Sequence, residues 1–261
     1  MPKYIHPQKE PAYRKEIFKS YLSAYWRHHH SLQIKEFDFY RRIYRRLFLH
    51  LLPKNKNARI LDLACGVGYF CYFLSKEGYT NYLGIDLNRE MVNSAQRIGL
   101  SNIKKAEAFS FLAKHPKSFD FIFSSHFLEH LPKPAVFRLL NLVYQALKPG
   151  GKLLLSTPNA CALFGTLYRY TDFTHELGFT SRSLAQVLQA TGFTAVRIYG
   201  QPPLVHSLSS LGRAYLWQIL RRVYQFLLQL ERGKGHGAKD KEIFEASLLA
   251  LAQRPEGSSS I

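Results

Sequence analysis

The chain has 261 residues, 46% hydrophobic and 14% aromatic, enough to bury a large core and to exclude disorder over most of its length. Its formal charge of +18 concentrates anions, so RNA, phosphorylated sugars or an anionic membrane face are the partners it favours; a solvated basic helix face is the structural alternative. Cys65, Cys71 and Cys161 form no CxxC pair, which argues against a disulfide scaffold or a cysteine zinc site and favours a reduced, cytoplasmic compartment.

The opening MPKYIHPQKEPAYRKE has no apolar stretch of the leader type, so no secretory signal is expected. From about Gln33 to Leu52, Phe37, Tyr40, Tyr44, Leu47, Phe48 and Leu51 recur at helical spacing. Arg41, Arg42, Arg45 and Arg46 fall mostly on the other face, so residues 1–57 read as a basic, amphipathic helical region. His28–His30 reads as a loop or helix end. An alternating series comes next, with strands in ARILDLA, NYLGIDL, NIKKAEA, SFDFIFSS and GKLLLSTP and helical stretches between them. That alternation predicts a parallel sheet covered on both faces. SLAQVLQATGF is then a helix, TAVRIYG a sixth strand and IFEASLLALAQRP a seventh. Residues 201–243 interrupt the scheme as an insertion before the last strand, holding an apolar helix from about Leu204 to Leu230 and the polar turn ERGKGHGAKDK. Arg213, Arg221 and Arg222 break that helix, so no membrane span is expected.

ILDLACGVGYF carries the strongest chemical signal. A strand runs into Gly66-Val67-Gly68 and then a helix, so a ligand there meets bare backbone and a helix N-terminus. Asp86 ends the second strand, where a carboxylate can accept from both ribose hydroxyls of a nucleoside. A dinucleotide dehydrogenase and an S-adenosylmethionine methyltransferase both fit this much. The dinucleotide fingerprint wants a third small residue where this chain has Cys71.

LDLACGVG, GIDLN, AEA, FDFIFSSHFLEHL and LKPGGKLLLSTPN occur in that order, and together they resemble the class I S-adenosylmethionine-dependent methyltransferases over about Ala58 to Phe193. The resemblance extends to the bacterial members of polysaccharide and quinone pathways. It implies a Rossmann-like α/β fold over residues 58–261, a seven-stranded and mostly parallel sheet whose last strand is antiparallel, and S-adenosylmethionine as cofactor. It places Asp62 near the cofactor's amino group, Gly66 and Gly68 against the methionine tail, and Asp86 on the ribose. Leu87 would lie against adenine, Glu107 and Ala108 near its amino group, and Ser125 along the methionine part. Ala64 stands in the glycine motif where glycine is commoner. Simpler roles stay open for two of these, a turn cap for Asp62 and a solvated strand end for Glu107.

The segment after the fourth strand narrows the acceptor. SSHFLEH is not the NPPY type of segment used on exocyclic base nitrogens, has no cysteine for attack on cytosine carbon, and has Glu129 without the second acid of arginine methyltransferases. Oxygen acceptors on small or lipid-linked molecules remain, or a tRNA nucleoside. A hydroxyl acceptor benefits from a general base, and His126, directly after the strand, is the first candidate. His130 reads as structural.

YTDFTHELGFT lies beyond the fifth strand and resembles the run that borders the acceptor pocket in those bacterial enzymes. There His175 is a second candidate base and Asp172 its orienting partner, with a loop-ordering network as the alternative. A metal site needs three or more convergent ligands, and this segment offers Asp172 and His175 with Glu176 as the sole third candidate, so none is expected. Leu216, Ile219, Leu220, Val223, Tyr224 and Leu227, around Trp217, form an apolar face with basic residues alongside. Such a helix can cap a pocket, lie on a membrane or pack in a core or dimer. The expected protein is a methyltransferase acting on the oxygen of a sugar, glycolipid or lipid-linked small molecule, cytoplasmic and peripheral to the inner membrane. A tRNA methyltransferase and a non-catalytic cofactor-binding scaffold are the alternatives.

Overall fold

A computed structural model describes residues 12–19, 21, 32–205, 207–232 and 242–257. The readings of His28–His30 and of the glycine-rich turn at 233–241 lie outside the described residues. The sheet grows from β1 (Ile60–Leu63), buried at every position because three of its four residues are large aliphatics. Beside it lie β2 (Tyr82–Asp86) and β3 (Ile103–Lys105) on one side, and β4 (Phe119–Ser125) and β5 (Leu147–Pro158) on the other. β6 (Thr194–Gly200) and β7 (Ser247–Gln253) complete the order β3-β2-β1-β4-β5-β7-β6. β1 to β5 pair in parallel, and β7 inserts antiparallel to both β5 and β6. The strand order reverses at β1 and β4, which opens a crevice at their carboxyl ends.

The described helices are α1 (Ala12–Lys19), α2 (Ile34–Phe48), α3 (Tyr69–Lys76), α4 (Arg89–Arg97) and α5 (Ala108–Ala113), then α6 (Lys133–Ala146), α7 (Gly165–Tyr170), α8 (Ser181–Ala190) and α9 (Leu208–Arg232). The aromatic stripe of α2 packs on α3 and the sheet: Phe37 meets Tyr69 at 4.6 Å between ring centroids, Tyr40 stacks on Tyr69 at 4.2 Å, and Phe48 meets Phe123 at 5.5 Å. Glu77, just after α3, pairs with Arg41 at 3.1 Å and with the exposed Arg45 at 3.5 Å; Arg42 and Arg46 are also exposed. The sixth strand and the helix N-cap at Thr180 agree with the sequence reading; Thr180 and Ser183 form a reciprocal capping box.

Among the boundaries that differ, those of the third and fifth strands have a local reason. The third strand ends at Lys105 because Glu107 turns the chain into α5, its carboxylate accepting from the N–H groups of Phe109 (2.9 Å) and Ser110 (2.8 Å). The fifth strand starts at Leu147, since the KPGG turn stays paired to Phe119 through a bulge.

The segment after β5 is a closed loop. The Asn159 side-chain amide donates to the carbonyls of Ile243 and Glu245, the Ala160 N–H donates to the Phe179 carbonyl, and α7 lies between those ends. The apolar face of α9 turns outward: Leu211, Tyr215, Leu216, Ile219, Leu220, Val223, Phe226, Leu227 and Leu230 are exposed. Its half-buried stripe is Trp217, Gln218, Arg221, Tyr224, Gln225 and Leu228, with Tyr224 against Phe244 and Arg221 paired to Glu245 at 3.0 Å. Among the described residues, nothing buries this apolar face.

Ala64 has φ of +59°, a left-handed conformation that its Cβ disfavours by about 1–2 kcal/mol. Ala64→Gly relieves this, and the extra unfolded-state entropy of glycine returns about 0.4–1 kcal/mol. The variant is expected to be more stable by up to about 1 kcal/mol, read from denaturant unfolding midpoints.

Candidate active site

The residues that resemblance assigns to the cofactor gather at the carboxyl ends of β1, β2 and β4. Gly66 and Gly68 both have positive φ, +54° and +86°. A Cβ on Gly68 would meet the movable end of Ile103 at 2.4 Å, so it is the positive φ that calls for glycine here. A Cβ on Gly66 would meet nothing within 4 Å, so this glycine faces open space, as a ligand cradle requires. The Gly66 N–H donates to Asp86 Oδ2 at 2.9 Å and the Asn88 N–H to Oδ1 at 2.8 Å, which hold the Asp86 carboxylate at the edge of that space. Burial raises the Asp86 pKa and these backbone donors counter it. Leu87 is next in the chain, an exposed apolar side chain, and Ser125 is half-buried at the end of β4.

Asp62 is buried under the glycine turn, and burial raises its pKa to about 7. The Cys71 thiol donates to it at 3.4 Å, and the charge of Asp86 adds to the shift. Burial also raises Cys65 to about 11 and Cys71 well above the ordinary thiol value, so neither is a nucleophile near neutrality. Glu107 is exposed and caps α5 through its bonds to Phe109 and Ser110, a role neither sequence reading named; Ala108 is the first residue of α5.

The acceptor side is organised by Glu129, on a short 3-10 turn, Leu128–His130, after β4. His126 Nδ1 lies 3.1 Å from Glu129 Oε1, and the Thr157 hydroxyl donates to Oε2 at 3.0 Å. The Glu129 carbonyl accepts from the N–H groups of Glu176 (2.7 Å) and Leu177 (3.1 Å), tying the turn to the post-β5 loop. Glu129 is 1% exposed; burial alone would raise its pKa, but the bond and charge of His126 and the charge of His130 lower it. Burial opposes protonation of His126, yet the bond to Glu129 and its charge raise the imidazole pKa above the ordinary value. The His126 backbone has φ of +52°, and its side chain is 52% exposed at the crevice.

Asp172 does not orient His175. Its Oδ1 accepts from the Thr174 N–H (2.8 Å) and hydroxyl (2.6 Å), and its Oδ2 from the Tyr21 hydroxyl. Burial would raise the Asp172 pKa, but these donors lower it. His175 Nδ1 instead meets the Tyr168 carbonyl at 2.9 Å, and its ring stands edge-on to His130, 4.7 Å away. His130 Nδ1 lies 2.8 Å from the Thr174 hydroxyl, and burial lowers the His130 pKa. Tyr21 and Phe18 flank the His130 ring, and the Phe18 carbonyl accepts from Asn88 Nδ2 at 2.8 Å, so the α1 end spans from the β2 side to the β4 side. Sequence reasoning named His126 and missed its partner Glu129, although their i, i+3 spacing was the available signal.

Residues 32–198, more than half of the chain, match the family described as "Methyltransferase domain". Phosphoethanolamine N-methyltransferase 1 of Triticum aestivum is 29% identical over 208 residues, 76% of this chain and 36% of its own length. A ubiquinone biosynthesis O-methyltransferase of Xylella fastidiosa is 33% identical over 153 residues, 54% of this chain and 57% of its own length. The chain thus spans less than two thirds of these relatives. A SAM-dependent methyltransferase from Archaeoglobus fulgidus superposes with a TM-score of 0.61 at 23% identity, covering 83% of this chain and 94% of that one. Phosphoethanolamine N-methyltransferase 2 of Haemonchus contortus, solved with S-adenosyl-L-methionine, gives 0.58 at 18% identity, covering 91% and 60%. At those identities the structures speak for the fold alone, and they share the class I sheet. With the match over residues 32–198, the chain belongs to the methyltransferase-domain family.

Proposed function

We propose that the protein is an S-adenosylmethionine-dependent methyltransferase that methylates an oxygen of a sugar, glycolipid or lipid-linked small molecule at a membrane surface. The observation that carries the oxygen acceptor is the His126–Glu129 pair at the carboxyl end of β4. A carboxylate can only accept, so His126 Nδ1 carries the proton and Nε2 of the neutral ring holds the lone pair. Nε2 is then the atom that takes the acceptor's hydroxyl proton, while Glu129 holds the ring and steadies its charged form. The exposure of the His126 side chain just after the carboxyl end of β4 supports this reading.

The cofactor fits the glycine turn on two counts: the space over Gly66 and the buried Asp62 carboxyl, whose charge no cation among the described residues offsets. When bound, S-adenosylmethionine supplies a sulfonium methyl that a lone pair on the acceptor displaces in line, the carbon–sulfur pair leaving with sulfur. Asp62 would meet its ammonium group, and Asp86 its ribose.

The membrane half rests on α9, whose exposed apolar face carries Arg213 and Arg222. Arg46 of α2 donates to the Val205 carbonyl and Arg213 to the Leu204 carbonyl, so the basic end of α2 meets the start of α9. Exposed apolar side chains flanked by cations fit an anionic bilayer surface. No helix among the described residues is long and apolar enough to cross a membrane. The relatives' names admit both oxygen and nitrogen acceptors, so the transferred atom is what the experiment must read.

Three outcomes are expected. With methyl-labelled cofactor, label should enter solvent-extracted lipid as an ether; label in tRNA, or in an N-methyl product, would sink the acceptor assignment. His126→Ala should lower kcat by about a hundredfold while leaving S-adenosylhomocysteine affinity unchanged; equal losses in both would point to misfolding. Sedimentation should show binding to phosphatidylglycerol vesicles and not to neutral phosphatidylcholine, reduced in the double variant Leu216→Glu/Phe226→Glu.

The Asp62 carboxyl adds a pH signature. Its free-protein pKa of about 7 must fall when an ammonium group binds beside it, so binding expels a proton below that pH. Affinity for S-adenosylhomocysteine should rise roughly tenfold from about pH 6 to about pH 8. Asp62→Asn should flatten the profile in calorimetry; a flat wild-type profile would remove Asp62 from the ammonium site.

A further inference from the structure

We propose that Glu129, His130 and His175 bind a divalent transition-metal ion, with open coordination positions toward the methyl acceptor. One ligand atom from each of the three lies within 4.8 Å of the others, close enough for small side-chain rotations to bring all three to an ion at about 2.1 Å. They come from two segments, the turn after β4 and the loop after β5, held in register by the bonds from Glu176 and Leu177 to the Glu129 carbonyl.

The tautomers agree with a ligand role. Asp172 can only accept, so the Thr174 hydroxyl spends its single proton on Asp172 Oδ1. The Thr174 oxygen must then accept from His130 Nδ1–H, which puts the lone pair of the neutral His130 ring on Nε2. The Tyr168 carbonyl likewise accepts from His175 Nδ1–H and leaves that lone pair on Nε2. Metal-bound imidazoles are characteristically fixed in this way, by an oxygen acceptor on the far nitrogen. The two imidazoles stand edge-on at 4.7 Å beside the buried Glu129 carboxylate, a donor set that suits a cation. Two imidazoles and one carboxylate suit zinc, manganese or iron(II) better than calcium or magnesium, and three protein ligands leave positions for exchangeable oxygen.

The role toward the acceptor rests on the oxygen-acceptor reading above. Bound to the ion, an acceptor hydroxyl becomes more acidic. Its proton would pass to His126 Nε2, and its oxygen pair would take the methyl carbon as the carbon–sulfur pair leaves with sulfur.

The test is calorimetric titration of the chelator-treated full chain with manganese chloride or zinc chloride alone. One equivalent should bind to the wild type, with affinity lowered about tenfold or more in both His175→Ala and Glu129→Gln. Retained S-adenosylhomocysteine binding certifies that each variant is folded. Absence of a binding event, or equal affinity in the wild type and folded variants, overturns the site. If metal binds but chelation leaves turnover unchanged, the acceptor role is overturned and the site stands. If the product proves to be N-methylated, the oxygen reading fails while the metal titration is untouched.

Discussion

The structure depends on one buried carboxylate. Glu129 is ionised almost out of reach of water, a state that costs several kcal/mol unless the charge is matched. Here the match comes from His126 on one oxygen and Thr157 on the other, while the Glu129 carbonyl draws in Glu176 and Leu177. A single residue therefore fixes the end of β4, its neighbour β5 and the loop beyond β5. The crevice at the switch point is a generic product of the sheet; its chemistry is set by this attachment.

The two halves of the site were not equally legible. The half assigned to the cofactor lies on contiguous sequence, a strand, a glycine turn and a second strand ending in Asp86, so local spacing marks it out as a candidate. Seven strands, their order in the chain and the helix caps come from the same kind of short-range pattern. The acceptor half is built from partners 28 to 151 positions apart: Thr157 with Glu129, Thr174 with His130, and Tyr21 with Asp172. Spacing alone suggested Asp172 with His175, because residues three apart can meet on a turn. The Thr174 hydroxyl lies closer to Asp172 and takes its oxygen, which turns the same four-residue segment into a relay to His130. Glu107 shows the converse, a residue with a cofactor-like position whose oxygens go to a helix N-terminus.

Helix α9 illustrates a different limit. Apolar periodicity identifies an amphipathic helix and says nothing of which face is turned inward. The buried stripe is chosen by what β7 offers, and its lead-in presents Glu245 and Phe244 to Arg221 and Tyr224. The more apolar face is left outside, next to exposed arginines of α2. For a chain of charge +18 this is a coherent surface, since the cations that oppose self-association also favour an anionic bilayer.

Glu129 serves His126 through Oε1 and remains a carboxylate with further lone pairs, so orienting the base and binding an ion are compatible uses of one group. The arrangement separates the two imidazole roles by bonding rather than by distance. His126 is held by an anion, which favours its charged form and suits a proton acceptor. His130 is held by a neutral hydroxyl in a buried place, which favours its neutral form and suits a ligand. Asp172 therefore acts at one remove: through Thr174 it fixes the His130 tautomer without placing a second negative charge against the ring. Tyr21, donating to the other Asp172 oxygen, couples that tautomer to the chain just beyond α1, which reaches from Asn88 beside the cofactor cradle to His130 beside the acceptor. These contacts tie the β2 side of the crevice to its β4 side, and an in-line methyl displacement depends on such fixed alignment.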